Sequence, residues 1–262
     1  MKKRLAKMAV MTLVVCLLAA GMAVNALAAE TVSLDEALKD ASNWDTYLDA
    51  PVTSENGWLT ITEASQIAAY KEDNYFNKLV EFTFKADADA AGSWPTFCVR
   101  DQLGAEKPHW EGGSAYTVTF KGEAEAGKND ENHKGGKIEL NAYKAGSWFA
   151  LGEVVPNEYY WGEDAGGEHK IQFGAIDEGD AVRLILKIDG KEVFNYLDSE
   201  NPIKEKGNIT FYAWAAPISA GPAGAAAAAD ASNPDTGYAG ILPFAAAAAA
   251  GILGMFASRR RK

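Results

Sequence analysis

The side chains that could perform catalysis are spread along the chain without the spacing of a familiar catalytic site. Glycoside hydrolysis requires two carboxyl groups that flank one bond, but Glu139 is the only acid in its predicted strand. The histidines at 109, 133 and 169 lack the spacing of metal ligands, and none forms an evident pair with a serine or a cysteine. Cys98 is interpreted as a small strand residue. The sequence therefore predicts no catalytic residue and leaves metal binding unknown, although acids that are distant in sequence could still meet in space.

Aromatic side chains give a clearer indication of ligand binding. Sugar rings stack their apolar faces on flat aromatic groups, while polar side chains bind the hydroxyls. Trp110, Trp148 and Trp161 fall in loop-like segments, and five other residues fall on the side of their predicted strands that is opposite to the apolar one. Together these residues predict a glycan-binding face composed of Arg100, Trp110, Asn141, Tyr143, Trp148, Trp161, Tyr212 and Trp214. Core or edge packing is the alternative role for each tryptophan.

These side chains would be positioned by β-strands. From residue 79 onward, apolar residues alternate with polar ones in short segments separated by glycine-rich turns, and helical periodicity is almost absent. Asp189-Gly190 is a two-residue hairpin signal between two such segments. The pattern is typical of an all-β sandwich or barrel. Its apolar face predicts a core that includes Phe82, Phe84, Val99, Val118, Phe120, Leu140, Phe173, Leu184, Leu186 and Phe211.

The order of these segments resembles the concanavalin A-like lectin and glucanase superfamily, particularly its laminin-G-like and family 16-type domains. The segments that carry the resemblance are 82–84, 97–100, 116–118, 137–140, 169–173, 188–191 and 207–211. The resemblance implies a jelly roll of two antiparallel sheets that binds or cleaves glycans, and many such domains hold a structural calcium ion. Glucanases of this superfamily place their catalytic carboxylates four or five residues apart on one strand. The resemblance does not decide between binding and cleavage, but this sequence lacks that motif, and the absence of the motif favours binding.

The amino-terminal end has the features of a secretory signal peptide. Four basic residues precede an apolar segment at 8–20, and Ala26-Leu27-Ala28 is a cleavage site of the A-x-A type. Cleavage is predicted after Ala28. A lipoprotein signal that uses Cys16 is the alternative, but Val15 is larger than the residue such a signal needs before its cysteine.

The carboxyl-terminal end combines a pentapeptide, an apolar run and a basic tail. Asn233-Pro234-Asp235-Thr236-Gly237 precedes an uncharged apolar run at 238–257, which as a helix is long enough to cross a bilayer, and a basic tail at 259–262. This arrangement resembles the sortase sorting signal of Gram-positive surface proteins. The resemblance implies cleavage between Thr236 and Gly237 and transfer of the threonine to peptidoglycan. Asn233 differs from the commoner leucine, and a retained membrane anchor is the alternative.

Removal of both ends would leave a strongly acidic protein. Eight of the 25 basic residues lie in these ends, so the 36 acidic residues exceed the remaining basic residues by 19. Such a charge repels nucleic acid and anionic lipid. Only one of the two cysteines would remain, which excludes an intrachain disulfide.

The sequence thus predicts a signal peptide at 1–28, an all-β, two-sheet antiparallel jelly-roll sandwich at 29–216, an Ala/Gly/Pro linker at 217–232 and a sorting signal at 233–262. Helices are predicted at the two processed ends, and the capping-box spacing of Ser33 and Glu36 predicts one short helix that ends near Asp40. The predicted function is carbohydrate binding at the wall of a Gram-positive bacterium. A surface glycan-processing enzyme and a spacer without ligand are the alternatives. The expected partners are a sortase, peptidoglycan and a glycan, with no nucleic acid and only transient membrane contact. Structural calcium is the one cofactor that the resemblance suggests.

Overall fold

The computed structural model describes residues 29–47, 51–62, 66–72, 74–86, 94–121, 136–156, 159, 167–213 and 217–224. The predicted signal peptide, the sorting signal, Trp161 and Trp214 lie outside these residues. Within the described ranges, no helix is long and apolar enough to cross a bilayer.

The described residues form two eight-stranded sheets that pack on one shared core. The back sheet contains β1 (Thr31–Ser33), β3 (Val52–Glu55), β4 (Trp58–Ile61), β6 (Leu79–Ala86), β12 (His169–Glu178), β13 (Ala181–Ile188), β14 (Lys191–Asp198) and β16 (Ile218–Gly221). The front sheet contains β2 (Trp44–Thr46), β5 (Gln66–Tyr70), β7 (Thr96–Asp101), β8 (Ala115–Lys121), β9 (Lys137–Lys144), β10 (Ser147–Ala150), β11 (Val155–Pro156) and β15 (Asn208–Ala213). A short helix, α1 (Asp35–Leu38), and two 3-10 turns, Ala41–Asn43 and His109–Glu111, complete the described elements.

The strands are antiparallel to their neighbours except for β1, which is parallel to β6. The spatial order is β14-β13-β12-β6-β16-β4-β3 in the back sheet and β10-β9-β8-β7-β15-β5-β2 in the front sheet, with β11 beside β9. The predicted all-β, two-sheet sandwich is therefore confirmed for the described part of the chain.

The core lies between the sheets and contains the residues that the strand pattern predicts. All ten predicted core residues are buried, with at most 5% of their surface exposed. Phe211 lies near the centre, and its ring centroid is 5.0 Å from that of Phe97, 5.2 Å from that of Phe82 and 5.4 Å from that of Trp44. The alternation of strand side chains thus assigns the inward face of these strands correctly.

The predicted hairpin joins β13 and β14. Asp189 and Gly190 both have positive φ, +50° and +79°, which is the geometry of a two-residue turn that matches the twist of its strands. The turn aspartate is also bonded to the neighbouring strand, because its carboxylate accepts a hydrogen bond from the Lys170 N–H at 2.9 Å and lies 2.7 Å from His169 Nδ1.

The sandwich extends beyond the predicted boundary at residue 216. Ile218 and Ala220 are buried, and β16 is hydrogen-bonded to β6 on one side and β4 on the other. Residues 218–221 therefore belong to a central strand instead of the linker. The composition of alanine, glycine and proline concealed a strand of only four residues whose small side chains fit between two neighbours.

The first and last described strands, β1 and β16, lie end to end along the same edge of β6 in the back sheet. β1 pairs with residues 79–81 of β6, and β16 pairs with residues 83–86, while β12 occupies the opposite edge of β6. The two ends of the described chain thus jointly complete the sheet beside β6.

Candidate functional site

A cavity of about 330 Å³ lies on the outer face of the front sheet. Cavities of this size commonly hold small ligands. Its lining combines aromatic, hydroxyl, amide and charged groups from Trp94, Thr96, His109, Trp110, Thr117, Thr119, Lys121, Glu139, Asn141, Tyr143, Trp148 and Tyr212.

The strand register explains why these side chains share one face. Glu139 lies opposite Thr119, Thr119 opposite Thr96, and Thr96 opposite Tyr212. Directly opposed residues of an antiparallel sheet project to the same side. A second row, two residues along each strand, contains Asn141, Thr117, Cys98 and Thr210. The core residues of the same strands project to the other side, so the alternation that builds the core also builds the cavity floor.

Two exposed tryptophans stand at the cavity. Trp110 is 40% exposed and Trp148 is 56% exposed, which is unusual for such large apolar groups. Trp110 lies in a 3-10 turn, as the predicted loop suggested, whereas Trp148 lies on strand β10 and not in a loop. The exposed rings are available to stack on a ligand.

A close contact between two turns fixes the spacing of these tryptophans. The Gly146 N–H donates a 2.7 Å hydrogen bond to the Gly113 carbonyl, which joins the β9–β10 turn to the loop that carries Trp110. A Cβ on Gly146 would lie 2.8 Å from the Gly112 nitrogen and 2.9 Å from the Trp110 oxygen. Only glycine permits this approach without a backbone shift.

An aromatic cluster surrounds His109 at one side of the cavity. Its ring centroid is 4.1 Å from that of Tyr143, 5.0 Å from that of Tyr212 and 5.2 Å from that of Trp110. The His109 backbone N–H also donates a 3.3 Å hydrogen bond to the Tyr212 hydroxyl. Burial lowers the pKa of His109 to about 4, so the imidazole is neutral at physiological pH.

Glu139 is the only carboxylate among the described residues that line the cavity. Its two oxygens form ion pairs of 2.9 Å with Lys121 and Lys137. Burial alone would raise the pKa of Glu139, but the hydrogen bonds and charges of the two lysines outweigh it and lower the pKa. Glu139 is therefore ionised at neutral pH.

The floor also offers an unused hydroxyl group. The Thr117 side chain is 1% exposed, and its Oγ1 atom has no hydrogen-bond partner. The neighbouring Thr96 and Thr119 hydroxyls, by contrast, bond to each other at 3.0 Å. A buried polar group without a partner carries a free-energy cost that a bound ligand hydroxyl would remove.

Five of the eight residues predicted for the ligand face line this cavity: Trp110, Asn141, Tyr143, Trp148 and Tyr212. Trp161 and Trp214 lie outside the described residues. The prediction also missed several cavity residues, notably His109, Glu139 and the three threonines. The threonines could have been predicted from the sequence. They alternate with the core residues of the same strands, so their side chains must project outward.

Arg100 does not belong to the ligand face, which corrects the prediction. Its φ of +57° interrupts the strand alternation, and a register shift occurs where β7 pairs with β15. The side chain is directed between the sheets, is 2% exposed and forms an ion pair of 3.0 Å with Asp177. It also donates hydrogen bonds to the Ile203 and Ala175 carbonyls at 2.7 and 2.9 Å. Arg100 thus joins the two sheets.

Solved structures provide the comparison, since a scan against protein-family models and a search of curated proteins both find no match. A protein of unknown function with a galectin-like fold from Bacillus subtilis superposes with a TM-score of 0.50 at 11% identity, covering 71% of this chain and 90% of that protein. The fold is a galectin-like β-sandwich.

Two further structures superpose with lower scores. An alginate lyase has a TM-score of 0.44 at 13% identity, over 76% of this chain and 92% of the lyase. Lectin I-B4 from Griffonia simplicifolia has a TM-score of 0.40 at 11% identity, over 69% of this chain and 91% of the lectin.

Proposed function

We propose that the cavity on the front sheet binds carbohydrate. The observation that carries this proposal is the pairing of two exposed tryptophans, Trp110 and Trp148, with a buried polar floor that includes the unpartnered Thr117 hydroxyl. Flat aromatic surfaces bind the apolar faces of sugar rings, and convergent hydroxyl and amide groups bind their polar edges. The galectin-like fold is compatible with this function, but a fold alone does not establish a function.

The open cavity indicates modest affinity. Each aromatic contact contributes on the order of 1 kcal/mol beyond the area it buries, which corresponds to micromolar or millimolar dissociation constants for a short glycan. Weak single-site binding suits a displayed protein, because many copies on one surface act together. Adhesion or glycan capture is therefore the role that we propose.

Replacement of Trp148 by alanine should weaken glycan binding roughly five- to tenfold, since about 1 to 1.4 kcal/mol of stacking energy is lost. The measurement is a glycan array with the full chain in detergent, followed by calorimetry on the best glycan. Phe149 provides the matched control, because it is adjacent on β10, is 46% exposed and does not line the cavity. Phe149→Ala should retain the affinity of the unaltered chain.

Equal losses in Trp148→Ala and Phe149→Ala would contradict the assignment of the cavity. Incubation of the same glycan with the chain, followed by mass spectrometry of the products, separates binding from processing. Shortened or unsaturated products would favour the alternative of a surface glycan-processing enzyme.

We also propose that the protein is exported and attached to the cell wall. The support comes from the sequence: the A-x-A site at Ala28, and the ordered pentapeptide, apolar run and basic tail from Asn233 onward. A sortase would cleave between Thr236 and Gly237 and transfer the chain to peptidoglycan.

Thr236→Ala should move the protein from the cell-wall fraction to the membrane fraction. The substitution replaces the threonine that a sortase would transfer to peptidoglycan, while the apolar run at 238–257 still holds the chain in the membrane. The measurement is immunoblotting of fractions after digestion of the wall with a muralytic enzyme. Asp235→Ala is the matched control, since the middle position of such pentapeptides varies, and it should stay in the wall. Release of Thr236→Ala only after wall digestion would overturn the sortase assignment.

A further inference from the structure

Three residues with metal-binding side chains meet beneath the cavity. Cys98 is on β7, Asp101 is at the end of the same strand, and His109 is in the 3-10 turn that follows. One ligand atom from each lies within 4.8 Å of the others, and Cys98 Sγ is 4.0 Å from His109 Nδ1. Sequence spacing did not reveal this cluster, because the loop between Asp101 and His109 has to fold back over the sheet.

The three side chains are buried almost completely. Cys98 and Asp101 have no exposed surface, and His109 is 2% exposed. An imidazole binds a metal ion through a ring-nitrogen lone pair, and His109 Nδ1 is the nitrogen that lies 4.0 Å from Cys98 Sγ. Since His109 also lines the cavity, an ion could reach the cluster from that side.

Asp101 supplies an independent indication of a missing partner. Its Oδ1 atom accepts hydrogen bonds from the Leu103 and Gly104 N–H groups at 3.1 and 3.3 Å. Its buried Oδ2 atom forms no hydrogen bond of ordinary geometry and has the equally unpaired Thr210 hydroxyl beside it, which carries no charge. The neighbouring Arg100 is bonded to Asp177 instead. A buried carboxylate that lacks a cationic partner is costly, and a metal ion would provide that partner.

We propose that Cys98, Asp101 and His109 bind a single zinc ion. The ligand set of one thiolate, one carboxylate and one imidazole suits Zn²⁺, whereas Ca²⁺ and Mg²⁺ prefer oxygen ligands alone. Three protein ligands leave one position of a tetrahedral ion for a water molecule. Such an ion would connect the strand beneath the cavity to the loop that carries Trp110, so it would stabilise the proposed glycan site.

The distance between Cys98 and His109 requires only a small contraction. Zinc–sulfur and zinc–nitrogen bonds of about 2.3 and 2.0 Å place the two ligand atoms roughly 3.5 Å apart in a tetrahedral site. The 4.0 Å distance between Cys98 and His109 exceeds this value by an amount that side-chain rotation can provide.

The test uses Co²⁺ as a spectroscopic probe in the full chain, purified in detergent and stripped with a chelator. Cys16→Ser is the background, so that Cys98 is the only thiol. Addition of Co²⁺ should produce a thiolate-to-cobalt charge-transfer band that saturates at one ion per chain, and Zn²⁺ should abolish the band by displacement. Absence of the band in this chain would overturn the proposal without reference to any further variant.

Variants then identify the ligands. Cys98→Ser keeps the side-chain size and should lose the charge-transfer band, while Asp101→Asn and His109→Gln should weaken cobalt binding about tenfold or more. His169→Gln is the matched control, because His169 lies on the back sheet beside Asp189, and it should bind cobalt unchanged. Circular dichroism verifies that each variant is folded. A band that persists in folded Cys98→Ser would exclude Cys98 as a ligand and overturn the proposal.

Discussion

Replacement of Arg100 by alanine should lower the free energy of unfolding by about 3 to 5 kcal/mol and leave glycan affinity unchanged. The guanidinium is 2% exposed and bonds to Asp177 and to the Ile203 and Ala175 carbonyls, so its removal leaves two buried acceptors without donors. Asp177 is 33% exposed, so water can hydrate its carboxylate once the guanidinium is removed. Most of the loss in stability therefore comes from the Ile203 and Ala175 carbonyls, which are left without hydrogen-bond donors. Urea unfolding of the full chain measures the stability, and calorimetry measures binding below the unfolding temperature.

Asp177→Asn is the matched control for this experiment. An amide at this position keeps an oxygen acceptor for the guanidinium and retains both bonds from Arg100 to the carbonyls, so the expected loss is about 1 kcal/mol or less. A binding defect in folded Arg100→Ala, with little change in stability, would instead restore Arg100 to the ligand face that the strand alternation predicted.

Replacement of Phe211 by alanine should cost about 3 to 5 kcal/mol of unfolding free energy. The ring is 1% exposed and contacts aromatic residues of both sheets, including Phe82 on β6 and Phe97 on β7. Because the total stability of a domain is typically about 5 to 15 kcal/mol, this loss could unfold a large fraction of the protein. The shift in urea midpoint, with an unchanged slope, is the measurement.

Two variants test whether the loss arises from the cavity that alanine leaves. Phe211→Leu fills most of the space and should cost less than Phe211→Ala, since the penalty grows with cavity volume. Phe149→Ala removes a ring of equal size on β10 that is 46% exposed and contacts the Lys144 ammonium at 5.6 Å, so it should change the stability by about 1 kcal/mol or less. Equal losses at Phe211 and Phe149 would contradict the central position of Phe211 in the core.

Strand alternation accounts for what could be predicted. Once Leu140 and Phe211 are assigned to the core, the period of two places Asn141 and Tyr212 on the other face, and the cavity contains both. The same rule fails at Arg100, because a residue with positive φ reverses the side on which the chain projects its side chain. Nothing in the residue type signals that reversal, since arginine has no preference for this conformation.

The remaining features that the sequence did not predict depend on distant parts of the chain. The cluster of Cys98, Asp101 and His109 forms only when a loop folds back over a strand, so no spacing rule could indicate it. The strand at 218–221 is stabilised by its neighbours β4 and β6 more than by its own small side chains. Local sequence patterns carry little information about either contact.

The shared position of β1 and β16 beside β6 has a consequence for the timing of folding. During synthesis from the amino end, β6 emerges early, whereas β16, which separates β6 from β4, is the last of the described strands to emerge. Until then the back sheet remains divided, and such long-range pairing is intrinsically slow. If the chain is exported as proposed, this order would keep it loosely structured during translocation and delay closure of the sandwich until the whole domain has crossed.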